Sequence, residues 1–280
     1  MSQLKQIIDK YDIFLLDIFG LIHDGVVLYS GAIEMLEQIK KQNKRSIFVS
    51  NAPRSGAETA NRLAKFGITP DLYDTVFTPA DSFLKKCTRG GFDGKKYYAI
   101  GKEEDIAALD HFPEMSRVLN PIEADIAIIF DAVKPADQTQ AILQEIKSKN
   151  LPMVCVNPDV IIKQTTTEGI KTFFCAGWIG QEYEKLGGSV EYFGKPYSLI
   201  YEEVFQYIKS SDKSKIIALG DSCETDIKGA NNANIDSLLV MTGIYSHMLD
   251  SSGNIDFEML KKEQDLHNAT PTYIIKNLHA

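Results

Sequence analysis

Short apolar runs that end in a polar residue recur along the chain and predict parallel β-strands. The runs are IFLLD, which ends at Asp17, SIFVSN, which ends at Ser50 and Asn51, and KIIALGD, which ends at Asp221. Nearly continuous apolar segments of this length are typical of strands covered on both faces of a parallel sheet. Because ligands bind outside the carboxyl ends of such strands, we expect these four polar residues to meet in one crevice.

Helical patterns follow the first two of these strands. SGAIEMLEQIKKQNKR places Ile33, Leu36 and Ile39 at helical spacing, and SGAETANRLAKFG begins with Ser55 and Glu58 in the positions of a capping box. The alternation of strand and helix predicts an α/β fold with a doubly wound, Rossmann-like parallel sheet.

A second α/β lobe is predicted within the first. TPAD begins a helix at Thr78 that ends near Cys87, and the glycine-rich stretch TRGGFDGKK follows it. The strand candidates KYYAIG, ADIAIIFD and PMVCVN then alternate with the helical stretches EEDIAALDHF and QTQAILQEIKSK. We therefore predict a core of residues 1–88 and 189–280 with an inserted cap of residues 89–188, the chain returning through KLGGSV. The C-terminal segment is interpreted as one further core helix and strand.

Composition and charge narrow the function classes. The 280 residues are 44% hydrophobic and 24% charged, which is typical of a globular protein with a packed core. A net charge of −8 and a pI near 5.2 argue against nucleic acid as a partner, because phosphate backbones are held by clustered Lys and Arg. The sequence shows no apolar stretch long enough to span a membrane and no cleavage-site pattern, so we expect a cytoplasmic protein with no membrane partner.

The cysteines give no sign of a metal site or a disulfide framework. Cys87, Cys155, Cys175 and Cys223 are widely spaced, and no C-x-x-C pair is present. Cys223 is interpreted as a small buried thiol.

Four segments in a fixed order resemble the motifs of the haloacid dehalogenase (HAD) superfamily: LLDIFGLIHDG, VSNAPR, FGKP and ALGDSCETDIKGA. The cap-sized insertion, the DG that closes the first motif, VNPD at 156–159 and GGSVEYFGKP are similar to subfamily IIA, the NagD-like hydrolases with a C2-type cap. The resemblance extends over nearly the whole chain up to about residue 245.

The resemblance implies a magnesium-dependent hydrolase that forms an aspartyl-phosphate on Asp17. It places Mg²⁺ on the carboxylates of Asp17 and Asp221 and on the backbone carbonyl of Phe19. Asp226 is expected to contact the metal through water. The implied substrate is a small phosphorylated metabolite.

The same resemblance assigns the groups that hold the phosphoryl oxygens. Lys195 is expected to offset the negative charge in catalysis and substrate binding, while Ser50 and the backbone of Asn51 bind phosphoryl oxygens. Arg54 is a further candidate for an anionic part of the substrate. Trp178, in CAGWIG, is either a stacking surface for the substrate or a core residue.

Phe19 departs from the family pattern. Family phosphatases begin this motif with Asp-x-Asp, and the second Asp protonates the leaving oxygen and later activates water. Phenylalanine can do neither, and general acid–base catalysis typically contributes about 10²–10⁴ in rate. We therefore expect phosphates with good leaving groups to be preferred, unless His23 or Asp24, the nearest in sequence, supplies the proton.

Two alternatives to a phosphatase stay open on the sequence alone. One is a HAD enzyme of non-phosphomonoester chemistry, a phosphonatase or a dehalogenase-like enzyme. Asp221 argues against the dehalogenase-like enzyme, because halide displacement needs no metal-binding carboxylate. The other is a catalytically weak metabolite-binding protein that retains the pocket. We also consider a homodimer formed through the cap.

Overall fold

The computed structural model describes residues 3–210 and 212–279. In chain order, its strands are β1 (Ile13–Leu16), β2 (Arg45–Val49), β3 (Thr75–Phe77), β4 (Lys96–Ile100), β5 (Ser116–Val118), β6 (Ile126–Ile129), β7 (Met153–Cys155), β8 (Ile161–Thr166), β9 (Gly169–Phe174), β10 (Val190–Tyr192), β11 (Ile216–Gly220), β12 (Asp236–Val240) and β13 (Tyr273–Ile275).

The helices lie between these strands. They are α1 (Gln3–Lys10), α2 (Ala32–Lys41), α3 (Gly56–Lys65), α4 (Pro79–Thr88), α5 (Glu103–Ile106), α6 (Ala136–Ser148), α7 (Ala176–Lys185), α8 (Ser198–Ile208), α9 (Lys228–Ala233) and α10 (Phe257–His267). None of the helices in these described ranges has the length and apolar character needed to cross a membrane.

Two parallel sheets organise the chain. The first has the strand order β13-β12-β11-β1-β2-β3, and the second has the order β10-β7-β6-β4-β5. In β1, Phe14 and Leu16 pack into one hydrophobic cluster, while Ile13 and Leu15 pack into another on the opposite face. Burial on both faces explains why the predicted strands read as continuous apolar runs. The predicted Rossmann-like core with an inserted α/β cap is confirmed.

Several local predictions are also confirmed. The Ser55 side chain caps α3 by accepting a hydrogen bond from the Glu58 N–H at 3.2 Å. Thr78 caps α4 in the same way, and Pro79 is its first residue. The C-terminal segment supplies α10 and β13, and β13 is an edge strand of the first sheet.

The predicted return from the cap is placed too early. The boundary at residue 188 assigns β10 to the core, but Val190–Tyr192 pairs with β7 of the second sheet. KLGGSV therefore contains the end of α7 and a short turn within the cap, and the chain leaves the second sheet only after Tyr192. We still propose a division into a core (1–88 and 189–280) and a cap (89–188). Its second boundary, at residue 188, should be moved to a position after β10.

The structure contains an antiparallel hairpin that the sequence patterns did not predict. β8 and β9 pair from Ile161 with Phe174 to Thr166 with Gly169, forming a separate two-stranded sheet. No residue of either strand is fully buried, so the alternation of buried and exposed positions that identifies a strand is missing. This hairpin covers the carboxyl end of the first sheet, where the site lies.

Candidate active site

Three carboxylates meet at the carboxyl ends of β1 and β11. Asp17 follows β1 and Asp221 follows β11, and these strands are paired neighbours. Asp226 lies one turn further on, in a short π-helix that begins at Cys223. One oxygen from each carboxylate lies within 4.8 Å of the others, and all three residues are buried. The predicted convergence of Asp17 and Asp221 is thus present.

Lys195 lies against this acidic cluster. Its Nζ is 2.5 Å from Oδ1 of Asp17 and 2.7 Å from Oδ1 of Asp226, and the lysine side chain is only 4% exposed. Burial opposes the charged form, but the attraction of Asp17 and Asp226 outweighs it and raises the pKa of Lys195. Lys195 is therefore a fixed ammonium between two carboxylates.

One lysine does not balance three buried carboxylates. Burial raises the pKa of Asp17 to about 7, against the lowering effect of Lys195, and burial together with Asp17 raises the pKa of Asp221 well above its ordinary value. Oxygen ligands and excess negative charge are what Mg²⁺ requires. Within the described residues, no hydrogen-bond donor is directed at the Phe19 carbonyl oxygen, the expected main-chain ligand. The donor set fits the implied metal.

Tight backbone packing holds the Asp221 carboxylate. Its Oδ2 accepts a hydrogen bond from the Ile244 N–H at 2.7 Å. Gly20, at φ +98°, approaches so closely that an added Cβ would lie 2.1 Å from the same oxygen. Only glycine allows both the backbone angle and the contact.

Gly20→Ala should therefore damage the metal site, and Gly94 offers a matched control. Gly94 also has a positive φ, +71°, but an added Cβ would meet no atom within 4 Å. We expect Gly94→Ala to lower the free energy of unfolding by about 1–2 kcal/mol from backbone strain alone. Gly20→Ala should lower it further and weaken Mg²⁺ binding measured by calorimetry. Equal losses in the two variants, with unchanged Mg²⁺ affinity, would contradict the packing argument.

Ser50 and Asn51 are placed beside this cluster by the end of β2. Both amide ends of Asn51 bind the Lys195 backbone: Oδ1 accepts from the Lys195 N–H at 2.7 Å, and Nδ2 donates to the Lys195 carbonyl at 3.0 Å. Nδ2 also donates to Oδ1 of Asp159 in the cap, at 2.8 Å. The Asn51 N–H has no acceptor among the described residues, and the Ser50 hydroxyl accepts from the Ala52 N–H at 3.1 Å. Asn51 thus fixes Lys195 through its side chain and keeps its own N–H available.

The cap hairpin closes over the acidic cluster. Residues 159–163 line a cavity of about 30 Å³ together with Asp17, Phe19, Asp221 and Asp226. This volume suits an ion or a water molecule rather than a metabolite. A substrate phosphoryl group therefore needs more room around Asp17, which a shift of the cap hairpin would provide.

Asp159 and Lys163 are cavity residues that sequence reasoning did not assign. Asp159 ends VNPD, a segment noted for its resemblance to subfamily IIA but given no role. Burial raises the pKa of Asp159 to about 6, against the lowering effect of Asn51. The Nζ of Lys163 donates to the Ile244 carbonyl at 2.7 Å and lies 2.9 Å from Nδ1 of His247. Only the pairing of the hairpin brings Lys163 to the core, so no local pattern could have identified it.

Neither His23 nor Asp24 replaces the proton donor that is missing at Phe19. His23 stacks on Phe66, with ring centroids 4.4 Å apart, and its Nδ1 accepts from the Gly25 N–H at 2.8 Å. Burial lowers the pKa of His23 to about 4. Asp24 accepts from the N–H groups of Val26, Val27 and Thr165. Burial opposes ionisation of Asp24, but these hydrogen bonds prevail and lower its pKa.

Two of the remaining candidates, Arg54 and Trp178, lie away from the cluster. Arg54 lines a neighbouring cavity and not the one around Asp17. Trp178 is in α7, half-buried against Phe174, with ring centroids 4.7 Å apart, and it packs on the second sheet. Cys223 is a buried free thiol, as predicted.

Comparisons with known proteins show the family to which the chain belongs. Residues 14–112 match the family model of haloacid dehalogenase-like hydrolases, and residues 192–280 match a second HAD-hydrolase-like model. The chain is 24% identical to a 4-nitrophenylphosphatase of Schizosaccharomyces pombe, over 99% of this chain and 95% of the relative. It is 26% identical to the ribonucleotide monophosphatase NagD of Escherichia coli, over 86% and 91%.

A solved structure has the same overall architecture. The crystal structure of a haloacid dehalogenase-like hydrolase from Brucella suis 1330 superposes with a TM-score of 0.82 at 26% identity and covers all of both chains. Both the motifs and the fold therefore agree with the expected family. The chain is a hydrolase of the haloacid dehalogenase superfamily, subfamily IIA.

Proposed function

We propose that this protein is a magnesium-dependent phosphatase that acts on a small phosphorylated metabolite through an aspartyl-phosphate on Asp17. The observation that carries the proposal is the buried contact between Asp17 and Lys195 inside a cluster of three carboxylates. A nucleophilic carboxylate, a fixed cation and a set of oxygen donors at one point are the groups that phosphoryl transfer requires.

The chemistry begins with Asp17. A carboxylate oxygen of Asp17 attacks phosphorus, and the bond to the leaving oxygen breaks with its electron pair staying on that oxygen. In this proposal the Lys195 ammonium, the Asn51 N–H and the Ser50 hydroxyl hold the phosphoryl oxygens. Water then attacks the phosphorus of the aspartyl-phosphate, which releases phosphate and restores the Asp17 carboxylate. One water proton stays with the phosphate, and the other passes to solvent or to the departed oxyanion.

The metal would be held by the Asp17 and Asp221 carboxylates and the Phe19 carbonyl, with Asp226 acting through water. When bound, Mg²⁺ supplies positive charge that offsets the crowded carboxylates and the phosphoryl group. Asp226 also accepts from the Ser222 N–H at 3.2 Å, so both of its oxygens are fixed.

Neither His23 nor Asp24, the titratable residues nearest to Phe19 in sequence, is suited to protonate the leaving oxygen. Asp24 is an ionised carboxylate with its acceptors occupied, and His23 is a neutral ring that lies outside the acidic cavity. Neutral imidazole is a weak acid, so its remaining N–H offers little help to an alkoxide. The proposed enzyme is therefore selective for leaving groups that are stable as anions.

Phosphonatase chemistry is less well supported. It requires a cap lysine that attacks a carbonyl group, and Lys163 is the cap lysine at the acidic cavity. Burial lowers the pKa of Lys163, but its Nζ is engaged by the Ile244 carbonyl and His247. An amine held in this way is a positioned hydrogen-bond donor rather than a free nucleophile, so we favour the phosphatase. The cytoplasmic location and the homodimer through the cap stay predictions.

Dependence on metal tests the proposal. We expect 4-nitrophenyl phosphate to be hydrolysed with Mg²⁺ and not with excess chelator. Asp221→Asn should weaken Mg²⁺ binding by at least about 10–100-fold in calorimetry, because it removes one charged ligand. Asp93→Asn, at an exposed position, is the control. Unchanged Mg²⁺ affinity in Asp221→Asn would refute the metal assignment, and turnover that persists in chelator would refute the mechanism.

A further inference from the structure

A second and larger cavity lies on the other side of Phe19. Its volume is about 600 Å³, and Phe19 and Ile162 line both this cavity and the small one around Asp17. The Phe19 ring is half-buried and stands edge-on to His23, with ring centroids 5.9 Å apart. Phe19, at the position of the missing acid, is thus part of the wall shared by the phosphoryl site and the larger cavity.

Cations dominate the lining of this larger cavity. Arg54, Arg62, Lys65 and Lys102 face it, and Glu58 is its one lining carboxylate in the described part of the chain. Other carboxylates stand behind the lining. Lys102 pairs with Asp131 at 3.0 Å, Arg62 lies 3.8 Å from Glu104, and the buried Asp105 lies near Arg54. The side chains that a ligand would meet are therefore mainly cationic, with their counter-charges largely behind the lining.

The protein satisfies these cations only in part. Glu58 is shared between Arg54, at 3.5 Å, and Arg62, at 3.1 Å. Among the described residues, the buried Nε of Arg54 makes no hydrogen bond although Glu58 lies 3.5 Å from it, both oxygens of Asp105 also lack a hydrogen bond, and Lys65 has no ion-pair partner. Burial and the repulsion of Arg62 lower the pKa of Arg54, as expected for a cation without sufficient counter-charge. An anion entering the cavity would add counter-charge beside Arg54 and Lys65.

The missing acid at position 19 and the cations of the larger cavity both affect the same step, the departure of the leaving group. A leaving group that cannot be protonated departs as an oxyanion, and cations beside its path stabilise it. We infer, resting on the proposed phosphatase function, that the cavity beyond Phe19 binds the leaving group and that this leaving group carries its own carboxylate or phosphate. The substrate class is then a phosphorylated metabolite with a second acidic group, which Arg54 and Lys65 contact.

Two substrates that differ only in charge test this inference. Carboxyphenyl phosphate and carbamoylphenyl phosphate, each as its 3- and 4-isomer, have nearly the same shape. The carbamoyl group withdraws electrons at least as strongly, so chemistry alone favours the neutral substrate. We expect kcat/KM to be about five- to tenfold higher for the better carboxylate isomer than for its neutral counterpart, the effect of one or two charge-assisted contacts. In Arg54→Gln and Lys65→Gln this ratio should fall towards one.

Matched variants and a binding measurement make the result decisive. Arg89→Gln and Lys41→Gln remove exposed cations elsewhere and should keep the ratio. Calorimetry with Asp17→Asn should show the same preference for the carboxylate without turnover. Turnover with a ratio near one for both isomers, and equal binding of the charged and neutral substrates, would overturn the anion-binding role of the cavity and leave the phosphatase intact. Charge-selective binding without turnover in the unmodified protein would support the cavity and overturn the proposed function.

Discussion

Asp17→Asn should reduce hydrolysis of 4-nitrophenyl phosphate by about 10⁴-fold or more, the scale on which enzymes lose activity when their nucleophile is removed. Asparagine keeps the shape of the side chain but cannot attack phosphorus to form the acyl phosphate. The change also removes one of the two charges that face Lys195, whose Nζ keeps its contact with Asp226 at 2.7 Å. We therefore expect a folded, inactive protein.

The measurement combines steady-state kinetics with mass spectrometry of acid-quenched enzyme. The unmodified protein should show the mass of one added phosphoryl group on the peptide that contains Asp17. Asp137→Asn, an exposed change at the start of α6, should be fully active. Aryl phosphate turnover that survives Asp17→Asn would contradict the nucleophile assignment.

The second large effect concerns stability. Lys195→Met should lower the free energy of unfolding of the metal-free protein by about 3–5 kcal/mol, because it leaves two buried carboxylates without their partner. Lys85→Met is the matched control. Lys85 pairs with Glu203 at 3.0 Å at an exposed position, so its loss should cost at most about 1 kcal/mol. Urea unfolding in chelator measures both, and equal losses would contradict the role given to Lys195.

The acidic cluster also sets the direction of the pH dependence. The pKa of Asp17 is about 7 in the folded protein, above its ordinary value of 3.8. The folded state therefore binds more protons than the unfolded state between these values, and stability without metal should fall as pH rises from about 4 to about 7. In Lys195→Met this loss of stability with rising pH should be larger, because the positive charge of Lys195 favours ionised Asp17 and its removal raises the pKa of Asp17 further. Urea unfolding at pH 5 and pH 7 measures the difference, and added Mg²⁺ should reduce it.

The sequence indicated the acidic cluster because the relevant signals are local. Asp17 and Asp221 each follow an apolar run, and the carboxyl ends of parallel strands share one edge of the sheet. The resemblance added Lys195 and Asp226. The hydrogen bonds between the Asn51 side chain and the Lys195 backbone could not be predicted from local sequence, because the two residues are 144 positions apart and meet only after folding.

The cap was harder to predict for a physical reason. The hairpin of β8 and β9 buries neither face fully, so it lacks the two-residue alternation that marks a strand. β10 has only three residues, and its place in the second sheet depends on pairing with β7. The cavity beyond Phe19 is assembled from segments distant in sequence, among them Arg54, Lys102 and Ile162. Its charge is a property of the tertiary structure.

The dependence of rate on the leaving group tests the central claim most directly, namely that Asp17 transfers a phosphoryl group without an acid at position 19. The measurement is kcat/KM for a series of aryl and alkyl phosphates of rising leaving-group pKa, with Phe19→Asp as the comparison. We expect a steep fall for the unmodified protein, and a shallower one in Phe19→Asp if the new carboxylate is accommodated beside Asp17. A flat dependence in the unmodified protein would contradict the account, and Asp159, in the same cavity, would then be the first group to test as the proton donor.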